Sequence, residues 1–271
     1  MAQELMAGKR GLVMGVANDH SIAWGIARKL AEHGAELAFT YQNAAFGKRL
    51  APLAETVGSG LTIECDVNQP DGVDKAFDEL ERSWDSLDFV VHAIAYSDKN
   101  ELKGRYVDTS PENFRNTLNI SCYSFTSVAR RASAMMPNGG SLVTLTYAGS
   151  TRVMPNYNVM GVAKAALEAS VRYIAADLGP DRIRVNAISA GPMRTLAGAV
   201  IGDARYVFGW TRDHSPLRRN IELDEVGGAA LYFLSDLSTG VTGEIHHVDS
   251  GYHAIGIPVK KNGGLGEPED A

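Results

Sequence analysis

The sequence predicts an α/β fold: a single Rossmann-type doubly wound domain, with a parallel sheet of about seven strands and helices on both faces. Three observations carry this expectation. Short apolar, β-branched runs alternate with helical periods along the chain, the pattern of parallel strands joined by crossover helices. The first strand ends in a glycine and runs into a helix, which opens a crevice beyond the sheet. The chain has 271 residues, 45% hydrophobic and 21% charged, enough for one large core without a Pro/Gly/Ser linker or internal repeat to divide it.

The elements follow in order. Arg10-Gly-Leu-Val-Met forms a strand ending at Gly15, and Ile22 to His33 an amphipathic helix with Ser21 at its N-cap and Gly34 at its C-cap. A strand at Glu36-Leu-Ala-Phe-Thr, a helix near 44–57 and a strand at Leu61-Thr-Ile-Glu-Cys come next. A helix near 73–84 leads to the strand Asp88-Phe-Val-Val-His, whose His92 is read as a packed core histidine. A long helix near 112–136 and the turn Pro137-Asn-Gly-Gly precede a central strand, Ser141-Leu-Val-Thr-Leu-Thr. After the central helix come the strand Ile183 to Ser189, a sharp Gly191-Pro192 turn, a helix near 224–234 and the strand Glu244 to Asp249.

Leu196 to Asp213 is mostly apolar but holds Gly198, Gly202 and Gly209, each of which weakens a helix by roughly 1 kcal/mol. A substrate lid at about 194–215 is expected there in place of a rigid core helix. Residues 1–257 make the domain, and the polar end, 258–271, is expected to be disordered.

The central stretch, Tyr147 to Lys164, bears the chemistry. Tyr147 falls at the carboxyl end of a strand and Tyr157 near the start of a helix. Tyr157 and Lys164 are seven residues apart, two helical turns, so they share one face. Helical side chains lean toward the N-terminus, which brings the lysine back beside the phenol. A phenol next to an ammonium can donate a proton or stabilise an oxyanion. The apolar run Val-Met-Gly-Val-Ala between them makes a buried lysine, and such a lysine needs a reason.

The strand ends suggest a dinucleotide. The loop from Gly15 does not match GxGxxG, yet Gly15 permits a sharp turn and the helix from Ser21 or Ile22 offers free amides to a pyrophosphate. Gln42 stands where a ribose-binding acid is common, without an adjacent arginine for a 2′-phosphate, which favours NADH over NADPH. Asp66 can meet an adenine amino group, and Thr195 a cofactor amide or phosphate. Composition excludes other classes. A formal net charge of -6 and a pI near 5.7 argue against nucleic acid as a general partner. Cys65 and Cys122 are read as free thiols, and no signal peptide, membrane span or metal site is expected, so the location expected is the cytoplasm.

These motifs resemble the short-chain dehydrogenase/reductase superfamily, and within it the bacterial enoyl-acyl-carrier-protein reductases. That superfamily commonly places Lys four residues after Tyr; the interval of seven with an added Tyr147 is the reductase pattern. Gly-Val-Ala and Ser-Ile-Ala within 15–23, Tyr-Gln-Asn at 41–43, Pro-Asn-Tyr-Asn-Val-Met-Gly at 155–161 and Arg-Val-Asn-Ala-Ile-Ser-Ala-Gly-Pro at 184–192 also match, and the resemblance spans about residues 8–256. It implies NADH-dependent reduction of the trans-2 double bond of an enoyl thioester on acyl carrier protein, in a homotetramer. Gly15, Ser21, Ile22, Gln42, Asp66, Val67 and Ile94 would line the NAD site, with Met193, Arg194, Thr195, Leu196 and Ala197 around the nicotinamide and phosphates. Lys164 would hold the nicotinamide ribose, Tyr157 the enolate oxygen; Tyr147 would shape the acyl pocket and Ser97 touch substrate. Met14 replaces the usual Thr, Ala95 a common Gly and Met193 a common Ile, the last two at positions that bear on pocket width. Two rival readings stay open: a carbonyl/alcohol dehydrogenase of the same fold, and a nucleotide-binding regulator without catalysis.

Overall fold

Residues 4–195 and 204–257 are described by the computed structural model. The strands are β1 (Arg10–Met14), β2 (Glu36–Tyr41), β3 (Thr62–Glu64), β4 (Phe89–His92), β5 (Gly140–Thr146), β6 (Ile183–Ala190) and β7 (Ile245–Val248). They form a 7-stranded sheet in the order β3-β2-β1-β4-β5-β6-β7, with parallel neighbours throughout. The helices are α1 (Ile22–Glu32), α2 (Ala44–Thr56), α3 (Gly72–Glu81), α4 (Pro111–Leu118), α5 (Ser124–Ala134), α6 (Asn158–Leu178), α7 (Ala204–His214) and α8 (Leu223–Leu234).

A parallel sheet covered on both faces needs strands that are apolar throughout, and β4, Phe-Val-Val-His, is buried at every position. Phe77 of α3, Val128 of α5 and Leu167 and Val171 of α6 pack one core layer against Leu12, Val90, Leu142 and Val185 of the sheet. Ile26 of α1, Leu50 of α2 and Val226 and Phe233 of α8 pack the other against Val13, Phe89, Val143 and Ile188. The strand order reverses between β1 and β4, so the crevice beyond their carboxyl ends is where a ligand belongs.

Two elements differ from expectation. The helix expected near 112–136 is interrupted by one π-turn, Asn119–Tyr123, between α4 and α5. Serine hydroxyls support that turn. Ser124 Oγ donates to the Ile120 carbonyl at 2.6 Å, and Ser121 Oγ accepts from Tyr96 N at 2.9 Å while donating to Tyr96 O at 3.0 Å. The turn thus fastens the loop after β4, a place where π-turns serve function. The second difference is α7, a helix despite Gly209. Tertiary anchors override the glycine: Val207 and Thr211 are buried, the Arg194 guanidinium lies 5.2 Å from the Phe208 ring centre, and Asn220 Nδ2 donates to Phe208 O at 3.1 Å. Gly198 and Gly202, and the tail 258–271, lie outside the described residues.

Candidate active site

A cavity of about 1330 Å³ lies at the carboxyl ends of the strands. At the switch point Gly15 has φ +102, and a Cβ there would stand 2.2 Å from Ala93 O, so only glycine lets β1 turn this close to the end of β4. Ser21 precedes α1 but does not cap it. Its Oγ instead accepts from Ala17 N and Asn18 N, both at 3.0 Å, which braces the loop. Helix α1 therefore begins without a side-chain cap, beside Ile22 and Ala23 in the cavity wall, with first-turn amides suited to an anion.

Further along the wall stand Gln42 after β2, Asp66 and Val67 after β3, Ile94 after β4, and Met193, Arg194 and Thr195 after β6. Asp66 Oδ1 accepts from Asn68 N at 3.0 Å, which holds the carboxylate in place. Leu196 and Ala197, expected beside them, lie outside the described residues.

Strand β5 and helix α6 bring the chemistry together. Tyr147 leaves β5, and Tyr157 occupies the position before α6, with their rings edge to face at 5.1 Å between centres. The corner around Tyr157 is conformationally special: Asn156 has φ 55 and Asn158 φ 35, left-handed values that asparagine tolerates better than most residues. Asn158 Nδ2 donates to Glu101 O and Gly104 O, each at 3.3 Å. Gly149 makes room for the phenol, since a Cβ there would lie 2.4 Å from Tyr157 Cδ1. One helix face carries Met160, Lys164 and Glu168, all buried, and Lys164 Nζ donates to Leu145 O of β5 at 2.7 Å.

Burial sets the electrostatics. It pushes the Lys164 ammonium down to about 8, against a smaller upward pull from Cys122 and Glu168. It raises the Tyr157 phenol well above its ordinary value and Tyr147 to about 12. Both phenols are therefore neutral donors near neutral pH. Glu168 accepts from Thr146 Oγ1 at 2.7 Å, which ties α6 to the end of β5. His92 is fully buried between Thr144 Oγ1 at 3.1 Å and Ser124 Oγ at 2.8 Å, and burial lowers it to about 3, the packed core histidine expected.

Tyr147, Tyr157, Lys164 and the described cofactor-site candidates thus share one cavity wall. Ser97 does not. It is buried one residue beyond Tyr96, where its hydroxyl meets Thr117 Oγ1 at 2.8 Å and Asn113 Oδ1 at 3.3 Å. The Ser97 hydroxyl is engaged by Asn113 and Thr117 of α4, while Ala95 and Tyr96 line the cavity, so a substrate contact at Ser97 would have to run through its backbone. The reading of the residues missed Gly149 and the Leu145 carbonyl. Glycine after a tyrosine carries no signal until the ring that needs the space is placed.

The family model described as enoyl-(acyl carrier protein) reductase matches residues 15–253. The chain belongs to that family. Among reductases it is similar to, "Enoyl-[acyl-carrier-protein] reductase [NADH] 2" of Rhizobium meliloti is 64% identical over 254 residues, 94% of this chain and 95% of the relative. The crystal structure of the Anaplasma phagocytophilum reductase in complex with NAD is 59% identical, superposes with a TM-score of 0.92, and covers 95% of this chain and 98% of that one. The Bacillus cereus reductase, crystallised with NADP+ and an indole naphthyridinone, is 48% identical with a TM-score of 0.92, over 94% and 100% of the two chains. The cavity of this reductase fits a dinucleotide on its own observations: the Gly15 cradle, the uncapped start of α1 and a buried lysine in the wall.

Proposed function

We infer that this chain reduces the trans-2 double bond of enoyl thioesters with NADH, the last step of each fatty-acid elongation cycle, through Tyr157 and Lys164. The observation that supports these roles is a buried phenol at the cavity wall, just before the helix that carries a buried ammonium anchored on β5. Bound NADH supplies the hydride for the β-carbon. As negative charge moves to the thioester oxygen, the neutral Tyr157 hydroxyl donates a hydrogen bond to it, desolvation makes that bond stronger than it would be in water, and the enolate then collapses as its α-carbon takes a proton from solvent. Lys164, held by Leu145 O, keeps its remaining N–H groups for the nicotinamide ribose. Tyr147 packs against the Tyr157 ring and shapes the acyl side. NADH oxidation with crotonyl thioester and none with simple ketones is the expected result; the reverse pattern would assign a carbonyl dehydrogenase, and NADH binding without turnover a regulator.

Gln42 leads to the preference for NADH. It is neutral, it follows β2 directly and it is exposed in the cavity wall, whereas Arg49 lies over the Phe46 ring at 5.7 Å. Catalytic efficiency with NADH should exceed that with NADPH in parallel assays. Since the Bacillus cereus relative accommodates NADP+, both cofactors must be tested.

The natural substrate is tethered to acyl carrier protein, and we place its approach at α7. Arg218 and Arg219 are held within the chain, by the Asp213 carbonyl and by Glu225. Arg205 and Arg212 face the cavity, Arg212 with Asp213 at 2.8 Å. An acidic carrier would be steered by such a cationic rim, an effect that salt screens over about 8 Å at physiological strength. Arg205→Glu with Arg212→Glu should raise KM for the enoyl carrier protein and hardly change it for a small enoyl thioester. Equal effects on both would make these arginines part of the pocket.

We also propose that residues 1–257 act as one catalytic domain whose lid, about 194–215, includes α7, and that the enzyme works in the cytoplasm. No helix among the described residues is long and apolar enough to cross a membrane. The homotetramer is proposed to assemble through the helical stretches near 112–136 and 157–178, where Tyr123 and Tyr173 are 61% and 76% exposed. Light scattering at micromolar concentration should give four times the chain mass, and a monomer would reject the assembly.

A further inference from the structure

Helix α7 has two sides with different neighbours. Val207, Phe208, Gly209 and Arg212 stand in the cavity wall, and Arg194 over Phe208 anchors that side. Trp210 is not part of that wall. Its indole Nε1 donates to Tyr252 Oη at 3.1 Å, and its ring stacks on His214 at 3.9 Å between centres. Tyr252 begins a short 3-10 turn, Tyr252–Ala254, near the C-terminal end of the described chain.

That turn is held firmly. The buried Asp249 carboxylate accepts from Gly251 N at 2.9 Å, from His253 N at 2.8 Å and meets His253 Nδ1 at 2.9 Å. Gly251, with φ +81, lets the turn pass Pro216, which a Cβ would meet at 2.9 Å. On its other side Arg152 reaches from the loop after Tyr147 and donates to His253 O and, at 3.5 Å, to Ile255 O. Tyr252 also stands close enough to Tyr147 to act on it electrostatically. A chain of contacts results: α7, Trp210, Tyr252, the turn, Arg152, and the loop that carries Tyr147.

We propose that Trp210 and Tyr252 are a positioning pair whose hydrogen bond clamps α7 to the C-terminal turn and thereby sets the width of the acyl side of the cavity. The proposal rests on the enoyl-reductase reading above. Neither residue lines the cavity. Its loss frees α7 to tilt away from the acyl chain, which weakens contacts made equally in the ground state and the transition state. Such uniform binding appears in KM and not in kcat.

The test uses the full chain, NADH and the trans-2-dodecenoyl thioester of coenzyme A. One neutral hydrogen bond corresponds to a change of roughly threefold to tenfold, so Tyr252→Phe and Trp210→Phe should each raise KM for the thioester by that factor. In both, kcat should stay near wild type and the NADH dissociation constant should not move. The double variant should match either single variant, because the two residues act through one bond. Tyr252→Phe also keeps a reporter in place: Trp24 and Trp84 are buried and Trp210 is 38% exposed, so iodide quenching should increase in this variant. The proposal is overturned by an unchanged KM, by multiplying effects in the double variant, by unchanged quenching, or by KM, kcat and NADH affinity shifting together as in a general loosening. If Trp210→Phe does not fold, KM and quenching of Tyr252→Phe decide. A wild-type chain that fails to oxidise NADH with the thioester would reject the enoyl-reductase reading itself, before any variant is compared.

Discussion

Tyr157→Phe is expected to lower kcat by about 100-fold, the scale seen when one oxyanion donor is removed, with NADH affinity nearly unchanged. The substitution deletes one oxygen and keeps the ring. The ring packs with Tyr147 and fills the space left by Gly149, so the corner at Asn156 and Asn158 should hold. Because burial raises the phenol far above neutrality, the hydroxyl acts as a neutral donor and its effect should not titrate between pH 6 and 8. Single-turnover NADH oxidation with a long-chain enoyl thioester separates this step from product release. A variant that reduced that substrate at the wild-type rate would remove Tyr157 from the mechanism.

Lys164→Ala should weaken NADH binding by at least about 10-fold, the loss expected when a charge-assisted hydrogen bond worth roughly 1.5–3 kcal/mol is removed. The truncation also leaves Leu145 O without its donor at the end of β5. The wild-type residue gives a pH signature with a definite sign. Its ammonium is present below about 8 and is lost as pH rises through that value, so NADH affinity should fall on the alkaline side. Stability without cofactor runs the other way. Between about 8 and the ordinary lysine value of 10.5, the unfolded chain holds a proton that the native site has released, so this residue's contribution to stability rises with pH. Isothermal titration with NADH across pH 7 to 10, with Lys164→Ala as the control, should show the alkaline loss in the wild type alone. A flat wild-type profile would mean that the lysine does not hold the cofactor through its charge.

Much of this molecule could be read from residue order. Alternating apolar runs and helical periods determine a parallel sheet covered on both faces, because only such a sheet buries strands like Phe89-Val-Val-His on both sides. The apolar residues before Lys164 determine that its helix face is buried, whereas Tyr157, expected on that same face, stands just outside α6 at a corner set by Asn156 and Asn158. The strand-end positions of Gly15, Gln42, Asp66 and Ile94 follow from the same pattern, since each stands where a strand gives way to a loop on the ligand side of the sheet.

Other features depend on contacts between residues far apart in the chain, which a local pattern does not record. Ser21 looks like a helix cap, but the folded loop presents Ala17 N and Asn18 N to its hydroxyl first. Ser97 is turned inward by Thr117 and Asn113, which become its neighbours only when α4 packs beneath the β4 loop. Glycine propensity argues against α7, and Arg194, Asn220 and Tyr252 outweigh it from other parts of the chain. Local propensity is worth about 1 kcal/mol per residue, so a few tertiary contacts suffice to reverse it. The sequence by itself determined the sheet, the crevice and the buried helix face of Lys164; the tertiary structure decided where the Tyr157 phenol stands, which hydroxyls remain available for ligand and what holds α7 over the cavity.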